Sequence, residues 1–578
     1  MRKMVGIRRY SHKNFAQEFR TQFIRKIFAR FSHQTNFAPS SLAQFFAPFR
    51  NLFAATLSAH FPLDEITPLP PHPPATSSYT PTLLHSYTSM SFEAATREFE
   101  HWLAHQNITI LPKVAIADLR HQFQGRGLLA TEDIVPEEVL FLIPRLSMLS
   151  VSNSQLLEDR PEIRENLLAL TQWEQLTIVL LYELEVLKAK SRWLPYFNVL
   201  PIKDTDNLEF NQLMFWTDAE LKLLSPSLIV ERVGKDVAEG VYEKLFPTYV
   251  SQQLQLPELA GVTLETYNRV ASIIMSYSFD VEKFDPETNG DSDEPMDMEN
   301  AEELLELNFF KSMIPLADTL NADSKLHNAS LVYTPDSLVM VAIKPIAKGE
   351  QVYNTYSDHP NSEILRRYGY VEWSGSEHDF GEVPLSLIKE YFVSKGLFTM
   401  KFVDELLSIM SEIVDNDNSD RWADIVLDSY DCFVSQEVII EFIFIVQVLT
   451  VLASINSLNS MEHLSDESKY QLVSRVFKKC YKLIESRKLT KYFQHTYKDI
   501  LDLRLKQYPP AAAEDFTSEP EHDRASLALA VLRSEYKSFK NCSDTDAVFR
   551  HGDVKYSFVL DEAFIKSIVH KKFLDELH

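Results

Sequence analysis

Tyrosine and asparagine side chains crowd one stretch of the chain, from Met313 to Tyr370. Asn321 ends the run MIPLADTLN, and its amide offers both a donor and an acceptor, which suits a zwitterionic amino-acid group on a ligand. Tyr356 and Tyr368 lie further along, beside turn residues. Tyrosines in such a set suit an aromatic channel around a lysine stem. Taken singly, these residues also fit a loop asparagine and packed strand tyrosines; their combined spacing favours a ligand site.

A second candidate, Gln124-Gly125-Arg126-Gly127-Leu128, lies much earlier and follows a predicted strand. Glycine lets the backbone approach a ligand closely and adopt φ values that other residues avoid. The chain has only 13 glycines, so a closely spaced pair is informative. A tight turn in a sheet is the alternative. The pattern lacks the third glycine and the strand–helix context of a dinucleotide fingerprint, so Rossmann-type binding is not supported.

Short β-type runs and long helical segments must position these residues. VAIADL, GRGLLATEDI and VLFLIP predict strands of a small sheet, and LVYTPDSLVMVAIKPI predicts a hairpin that turns at PDS. Residues 152–270 are predicted to be helical, with helical spacing in TQWEQLTIVLLYELEVLKAK and a break at Trp193–Tyr196. After Pro384 the pattern predicts helices almost throughout, including a buried core helix from Val438 to Ile455.

The length of 578 residues favours two or three domains, because single cores stop growing well below that size. The first sixty residues hold ten Lys/Arg and one acid, Glu18, and residues 67–90 are rich in Pro, Ser and Thr. This composition is typical of a mitochondrial transit peptide followed by a disordered linker. Alternatively the protein starts at Met90, which opens the predicted helix SFEAATREFEHWLAHQNI. Residues 1–89 are therefore predicted to be a disordered extension.

The net charge of -25 argues against nucleic acid as a direct ligand, because phosphate binding needs a basic surface. It favours a basic partner, such as a ribosomal protein or a histone tail, although acidity can equally serve solubility. Residues 282–306 hold eleven acids and one lysine, which predicts a solvated acidic loop at about 281–306. A tether for a basic substrate is the alternative for this loop.

Cys432, Cys480 and Cys542 lie far apart and form no CxxC pair, which predicts neither a disulfide framework nor a metal site. The reducing interior of a cell is the compartment that such cysteine usage favours. The uninterrupted apolar runs are shorter than the roughly 18 residues of a membrane span, so no membrane association is predicted.

The motifs GRG, DTLN, EQVYNTY and NSEILRRYGY together resemble the SET family of protein methyltransferases, in its Rubisco-methyltransferase-like branch. SRWLPYFNVLP and the following Trp216 resemble the helical insert that divides SET domains of this branch. The resemblance covers roughly residues 93–545. It implies an α+β fold, in which a SET domain of small β-sheets (residues 90–384) is split by a helical insert at about 152–270. An all-α substrate-binding domain (residues 385–578) follows.

The resemblance also implies an S-adenosyl-L-methionine-dependent protein-lysine N-methyltransferase that acts on a large-subunit ribosomal protein in the nucleus or cytoplasm, or in mitochondria if the extension is real. Tyr356 would be the catalytic tyrosine. The cofactor would be bound by Gln124, Gly125, Arg126, Gly127, Asn321, Ala322 and Tyr356. The lysine channel would be lined by Tyr333 and Tyr368, and less directly by Tyr277 and Asp318.

One residue departs from the family pattern, since Ala322 stands where a histidine often follows the asparagine. A backbone contact survives this change, whereas a contribution from an imidazole does not. Two rival functions follow: a non-catalytic module that binds a basic protein through a vestigial SET core, and an enzyme of the same fold that methylates histidine. Intact Tyr356 and Tyr368 argue against the first rival.

Overall fold

Helix α1 (Phe92–His105) opens the part of the chain that the structure, a computed structural model, describes: residues 91–201, 210–283, 308–416, 425–458, 461–516, 520–552 and 554–569. The helix begins where predicted, because the Ser91 hydroxyl accepts a hydrogen bond from the Ala94 amide at 3.2 Å. All described residues belong to one compact unit. The predicted extension and nearly all of the predicted acidic loop lie outside the described residues; the start of that loop, Val281 and Glu282, is the end of a strand.

The described part of residues 109–352 contains three small antiparallel sheets, with strand orders β1-β4-β9-β8, β10-β3-β2 and β5-β7-β6. The runs predicted as strands do form strands, and VLFLIP is strand β4 from end to end. The predicted hairpin joins β8 to β9 and is closed by Thr334, whose hydroxyl accepts from the Ser337 amide at 3.1 Å. The strands are β1 (Thr109–Ile110), β2 (Val114–Asp118), β3 (Arg126–Ala130), β4 (Val139–Pro144), β5 (Leu149–Ser150), β6 (Ser278–Glu282), β7 (Phe309–Met313), β8 (Ala329–Tyr333), β9 (Ser337–Ala342) and β10 (Gln351–Val352).

A helical segment separates β5 from β6, as the sequence predicted. The helix Gln172–Leu181 in this segment begins in a capping box, in which the Thr171 hydroxyl accepts from the Glu174 amide and the Glu174 carboxylate accepts from the Thr171 amide. The helices are α2 (Gln155–Asp159), α3 (Arg164–Leu168), α4 (Gln172–Leu181), α5 (Leu194–Phe197), α6 (Asp218–Leu221), α7 (Lys235–Lys244) and α8 (Leu264–Tyr277). Helix α8 leads directly into strand β6, so that Tyr277 lies at their junction.

The chain after β10 is mainly helical, with two short strand pairs that the sequence did not predict. Strand β11 pairs antiparallel with β12, and β13 pairs in parallel with β14. The helices are α9 (Asn361–Tyr368), α10 (Leu385–Ser394), α11 (Met400–Asn416), α12 (Ile440–Leu458), α13 (Asp466–Glu485), α14 (Lys491–Leu505), α15 (Arg524–Cys542) and α16 (Asp561–Ile568). The strands are β11 (Phe380–Pro384), β12 (Ser429–Phe433), β13 (Lys488–Thr490) and β14 (Ser557–Val559).

Helix α12 is the apolar run that the sequence predicted to be a core helix. By length and composition it could cross a membrane, but 72% of its most apolar window is buried inside the protein. A helix that is apolar on all sides is expected at the centre of a helical layer. Its neighbours α13 and α14 pack against it in the core of the C-terminal part. The prediction of a core helix is confirmed.

Two large apolar clusters hold the fold together. One contains residues between Phe99 and Val352, and the other contains residues between Val383 and Ile568. A third, smaller cluster joins the helical insert through Trp216, helix α9 through Leu365, and helix α15 through Val531. The predicted domain boundaries are not tested by this packing, but the third cluster fixes α9, which ends in Tyr368, against the C-terminal helices.

Candidate active site

Two glycines at the start of β3 are required for different reasons, Gly125 by its backbone conformation and Gly127 by close packing. Gly125 has a φ of +65°, which L side chains rarely adopt. A Cβ built on Gly127 would lie 2.5 Å from Leu119 Cδ1, 2.9 Å from Asn321 Nδ2 and 3.1 Å from Gln351 Oε1. Gly127 therefore lets Leu119, Asn321 and Gln351 pack closer to the backbone than any side chain at this position would allow.

Asn321 joins the two sequence motifs in space. Its Nδ2 donates to the Arg126 carbonyl at 3.1 Å, and its own carbonyl accepts from the Asn354 amide at 2.9 Å. Ala322 and Asn354 then form a parallel β-bridge. The segment after Asn321 thus runs alongside the segment that carries Tyr356, and both lie against the start of β3.

The side chain of Arg126 has a structural task. Its guanidinium donates to the Thr96 hydroxyl at 2.9 Å and to the carbonyls of Val199 and Phe92, each at 3.1 Å. It also stacks over the Phe92 ring at 3.7 Å. These bonds tie β3 to α1 and to the insert, which leaves the backbone of Arg126 as the part that could contact a ligand.

Tyr356, Tyr368 and Tyr370 form a tight aromatic cluster. The ring centroids of Tyr356 and Tyr368 are 4.7 Å apart, and Tyr370 lies 6.4 Å from Tyr356 and 6.3 Å from Tyr368. Tyr368 is the last residue of α9, which ends there because Gly369 adopts a left-handed φ of +76°. Tyr370 was not among the predicted site residues, although the RRYGY motif contained it.

The hydroxyl of Tyr356 is fixed by a hydrogen bond, and its raised pKa keeps it protonated. It donates to the Leu320 carbonyl at 2.8 Å, one residue before Asn321. Burial, together with the nearby Tyr277, Tyr368 and Asp318, raises the pKa of Tyr356 well above its usual value. Tyr277 and Asp318 thus influence Tyr356 electrostatically; their place in the lysine channel stays a prediction. A neutral phenol here can donate or orient, but it is poorly suited to remove a proton.

Asp318 is a buried carboxyl with an unusual partner. The Tyr196 hydroxyl donates to its Oδ2 at 2.5 Å, and burial raises the pKa of Asp318 to about 7. Tyr277 feels the negative charge of Asp318, and burial together with this charge raises the pKa of Tyr277. Tyr196 lies in helix α5, where the sequence predicted a break in the helical insert, and sequence reasoning gave it no role.

A small cleft opens beside this cluster. His359 and Glu372 lie on its wall, and the sequence gave no signal for either. Burial, and to a smaller extent Arg367, lowers the pKa of His359 to about 4, so its imidazole is neutral at pH 7. Burial raises the pKa of Glu372 to about 7, although its carboxylate accepts from the amide and hydroxyl of Ser324. The wall also contains Ala322, Tyr356, Tyr368 and Tyr370.

Tyr333 is the one predicted channel residue that the structure does not link to the tyrosine cluster. It ends β8, and its hydroxyl is influenced by Asp280, Arg145 and Glu282. Burial, together with the charges of Asp280 and Glu282, raises its pKa to about 12, and Arg145 opposes this rise. Its place in the channel stays a prediction.

Comparisons with known proteins agree with this geometry. Residues 125–357 match the SET domain family, a span that begins at Gly125 and ends just after Tyr356. Ribosomal lysine N-methyltransferase 4 from Saccharomyces cerevisiae is 40% identical over 497 residues, which is 84% of this chain and 97% of the yeast protein. Human N-lysine methyltransferase SETD6 is 30% identical over 270 residues, and there the match spans about half of the relative, 52%.

Solved structures of similar fold include the SET domain of LSMT bound to lysine and AdoHcy, with a TM-score of 0.52, and Rubisco LSMT bound to AdoMet, with a TM-score of 0.51. Each is 17% identical in sequence; the match covers 84% of this chain and 99% of the solved chain. At that identity the likeness establishes the fold. The match to nearly the whole yeast enzyme establishes the family, and the chain belongs to the SET-domain protein-lysine N-methyltransferases.

Proposed function

We propose that this chain transfers a methyl group from S-adenosylmethionine to the side-chain nitrogen of a lysine in a ribosomal protein. The proposal rests on one observation: Gly127 and Tyr356 both lie against the segment Leu320–Asn321. Asn321 bonds to the Arg126 carbonyl beside Gly127, and the hydroxyl of Tyr356 bonds to the carbonyl of Leu320. A ligand group held by Asn321 would therefore lie near the tyrosine cluster.

The described residues fit such a cofactor. Gly127 lets Asn321 lie close to the backbone of β3, and the buried Gln351 Oε1 beside it has no hydrogen-bond partner among the described residues. An amino-acid group that brings its own ammonium donor would satisfy such an oxygen. The backbone of Gln124 to Gly127, together with Asn321, Ala322 and Tyr356, would hold the cofactor. When bound, it supplies an electrophilic methyl group on a positively charged sulfur.

Tyr356, Tyr277 and Tyr368 would align the lysine and exclude water around its nitrogen. Alignment of this kind can supply about 7–11 kcal/mol in favourable cases. An ordinary lysine has a pKa of about 10.4, and burial in an apolar channel lowers it towards the neutral form that can attack. Tyr356 keeps its own proton, so its part is to orient the amine rather than to deprotonate it.

A basic ribosomal protein suits the charge of this chain. The net charge of -25 favours encounter with a positively charged partner. The yeast relative is named for ribosomal lysine methylation, and this chain matches 97% of it. The same substrate would place the enzyme in the cytoplasm or nucleus, where ribosomal proteins are made and assembled.

Methyl transfer from radiolabelled S-adenosylmethionine to purified ribosomal proteins tests the proposal. We expect label on lysine with the wild type and little with Tyr356→Phe. Tyr242→Phe is the matched control, because the Tyr242 hydroxyl also donates to a carbonyl, that of Val262 at 2.9 Å, within the insert. Label on histidine in the mapped product would favour the alternative that the chain is a histidine methyltransferase of the same fold. Cofactor binding by calorimetry with no transfer to any basic protein would support the non-catalytic rival and overturn the proposal.

A further inference from the structure

Asp318 is a buried acid whose charge no cationic side chain of the described residues balances. It is 8% exposed, in the turn between β7 and the Asn321 segment. Hydrogen bonds from Tyr196 and from the backbone favour its ionised form, and among the described residues no lysine, arginine or histidine contributes to that. A buried carboxylate in this condition is costly unless a cation or a proton arrives to neutralise it.

Tyr196 holds Asp318 from a rigid position. Its ring is fully buried and packs against Phe99, Trp102 and Phe197, with centroid distances of 6.1, 6.2 and 5.7 Å. Its only hydroxyl hydrogen is donated to Asp318 Oδ2. The packing gives Tyr196 little freedom to turn away, so Asp318 has one preferred position.

The backbone also fixes Asp318. Leu316, two residues earlier, is fully buried and has a φ of +77°, which is unusual for a residue with a side chain. This residue begins the turn Ala317–Thr319 and sets the direction in which Asp318 leaves it. Strained backbone of this kind persists where the surrounding packing enforces it, and it is concentrated at functional sites.

Tyr196 contacts Asp318 directly, and the Tyr356 hydroxyl bonds to the Leu320 carbonyl two residues further on. Tyr196, Tyr277 and Tyr356 each feel the charge of Asp318. Tyr277 comes from the end of α8, and Tyr356 follows β10. The tyrosines keep their protons, since burial raises the pKa of each well above the usual value. Asp318 is thus the member of this group that can accept a proton near neutral pH.

We propose that Asp318, positioned by Tyr196, accepts the proton that the substrate lysine must lose before methyl transfer. This inference rests on the proposed function. One N–H bond of the lysine ammonium breaks, an O–H bond forms on the Asp318 carboxylate, and the electron pair stays on the lysine nitrogen. After the methylated product leaves, the proton passes to solvent and restores the carboxylate.

The proton affinity of Asp318 suits this task. Its pKa of about 7, raised by burial, is close to the working pH, where a general base is most effective. An exposed aspartate, with a pKa near 3.9, would be too weak a base for a lysine. The hydrogen bond from Tyr196 opposes the effect of burial and keeps a useful fraction of Asp318 ionised.

Three variants separate this role from a structural one. Tyr196→Phe removes the hydrogen bond and keeps the ring; Asp318→Asn keeps the shape and removes the base. Tyr182→Phe is the matched control, because the Tyr182 hydroxyl donates to Asp159 Oδ2 at 3.1 Å in the same helical insert. Thermal unfolding and calorimetric cofactor binding would verify that each variant folds.

The pH dependence of kcat with a ribosomal substrate is the first measurement. Loss of a hydrogen bond to a charged group should raise the pKa of Asp318 by about one unit, so the ionised fraction at pH 7 falls about fivefold. We expect Tyr196→Phe to lose about that much activity at pH 7 and to regain it near pH 9. In Asp318→Asn, kcat should no longer rise with pH in this range, and Tyr182→Phe should have the pH profile of the wild type. An equal loss for Tyr196→Phe at every pH would overturn the proposal.

The second measurement needs neither substrate nor cofactor. Infrared difference spectra between the wild type and Asp318→Asn should show a protonated carboxyl band that disappears as the pH rises through about 7. In Tyr196→Phe the same band should persist to higher pH. A band that disappears near pH 4 would refute the assignment of Asp318 as the base. If the band behaves as expected but the wild type methylates no lysine, the proposed function fails and the titration of Asp318 stands.

Discussion

Replacing Gly127 by alanine should weaken cofactor binding, because the new methyl group would collide with the side chains packed around it, Asn321 among them. The Cβ would lie 2.5 Å from Leu119 Cδ1, 2.9 Å from Asn321 Nδ2 and 3.1 Å from Gln351 Oε1. The leucine methyl can turn aside at small cost. The Asn321 amide is less free, because it donates to the Arg126 carbonyl at 3.1 Å.

The expected cost follows from these contacts. Overpacking of a well-filled site costs about 1–3 kcal/mol. Loss of the hydrogen bond from Asn321 adds about 0.5–1.5 kcal/mol if the amide is displaced. We therefore expect Gly127→Ala to lower the free energy of unfolding by about 1–3 kcal/mol. We also expect a loss of at least about tenfold in affinity for S-adenosylhomocysteine, which corresponds to about 1.4 kcal/mol.

Isothermal titration calorimetry and thermal unfolding measure the two effects separately. Gly240→Ala is the matched control, since Gly240 lies within helix α7 and a Cβ there meets nothing within 4 Å. That variant should bind normally and should be stabilised by about 0.5–1 kcal/mol through helix propensity. If Gly127→Ala binds the ligand as tightly as the wild type and unfolds at the same temperature, the reasoning about this close packing is wrong.

Three further predictions concern stability. Arg232→Met should destabilise by about 3–5 kcal/mol in denaturant unfolding, because it leaves the buried Glu382 carboxylate without the guanidinium that donates to both of its oxygens. Burial raises the folded-state pKa of Glu535 to about 7. The contribution of this carboxyl to stability is therefore complete below about pH 4.5 and is lost as the pH rises through 7. We expect Glu535→Gln to make the fall in melting temperature between pH 5 and 8 shallower. Leu449→Ala, at a fully buried position of α12, should cost about 2–5 kcal/mol.

Each of these predictions has a clear contrary outcome. Arg550→Met removes an exposed pair with Asp546 and should change stability by less than about 1 kcal/mol; an equal effect of Arg232→Met would contradict the buried-pair argument. An unchanged pH slope in Glu535→Gln would show that this carboxyl titrates at its ordinary pKa. A loss below about 1 kcal/mol for Leu449→Ala would mean that α12 is not packed as a core helix.

The sequence predicted the local elements well where a regular pattern ran for several residues. VLFLIP alternates and forms β4, and the apolar run after Val438 forms the buried helix α12. Strands β13 and β14 have three residues each, too few for a pattern to emerge among helices. Their pairing depends on packing between segments distant in the chain, which a single sequence does not display.

In the candidate site, too, residues that are close in the sequence were predicted and contacts between distant residues were not. Asn321, Tyr356 and Tyr368 lie in one motif-rich stretch, and the sequence alone singled them out. The bond between Tyr196 and Asp318 spans 122 positions, and nothing in SRWLPYF distinguishes this tyrosine from a packed one. The hydrogen bond from Tyr196 to Asp318 depends on how the insert packs against the Asn321 segment in the folded chain.

Mass spectrometry of ribosomal proteins from cells with and without this gene tests the central claim most directly. Peptides should be mapped to single residues, and the purified enzyme should be added back to the unmodified ribosomal proteins. We predict a lysine methylation that is absent without the gene, restored by the wild type, and not restored by Tyr356→Phe. Identical lysine methylation in both cells, or a modification that maps to histidine, would contradict the account.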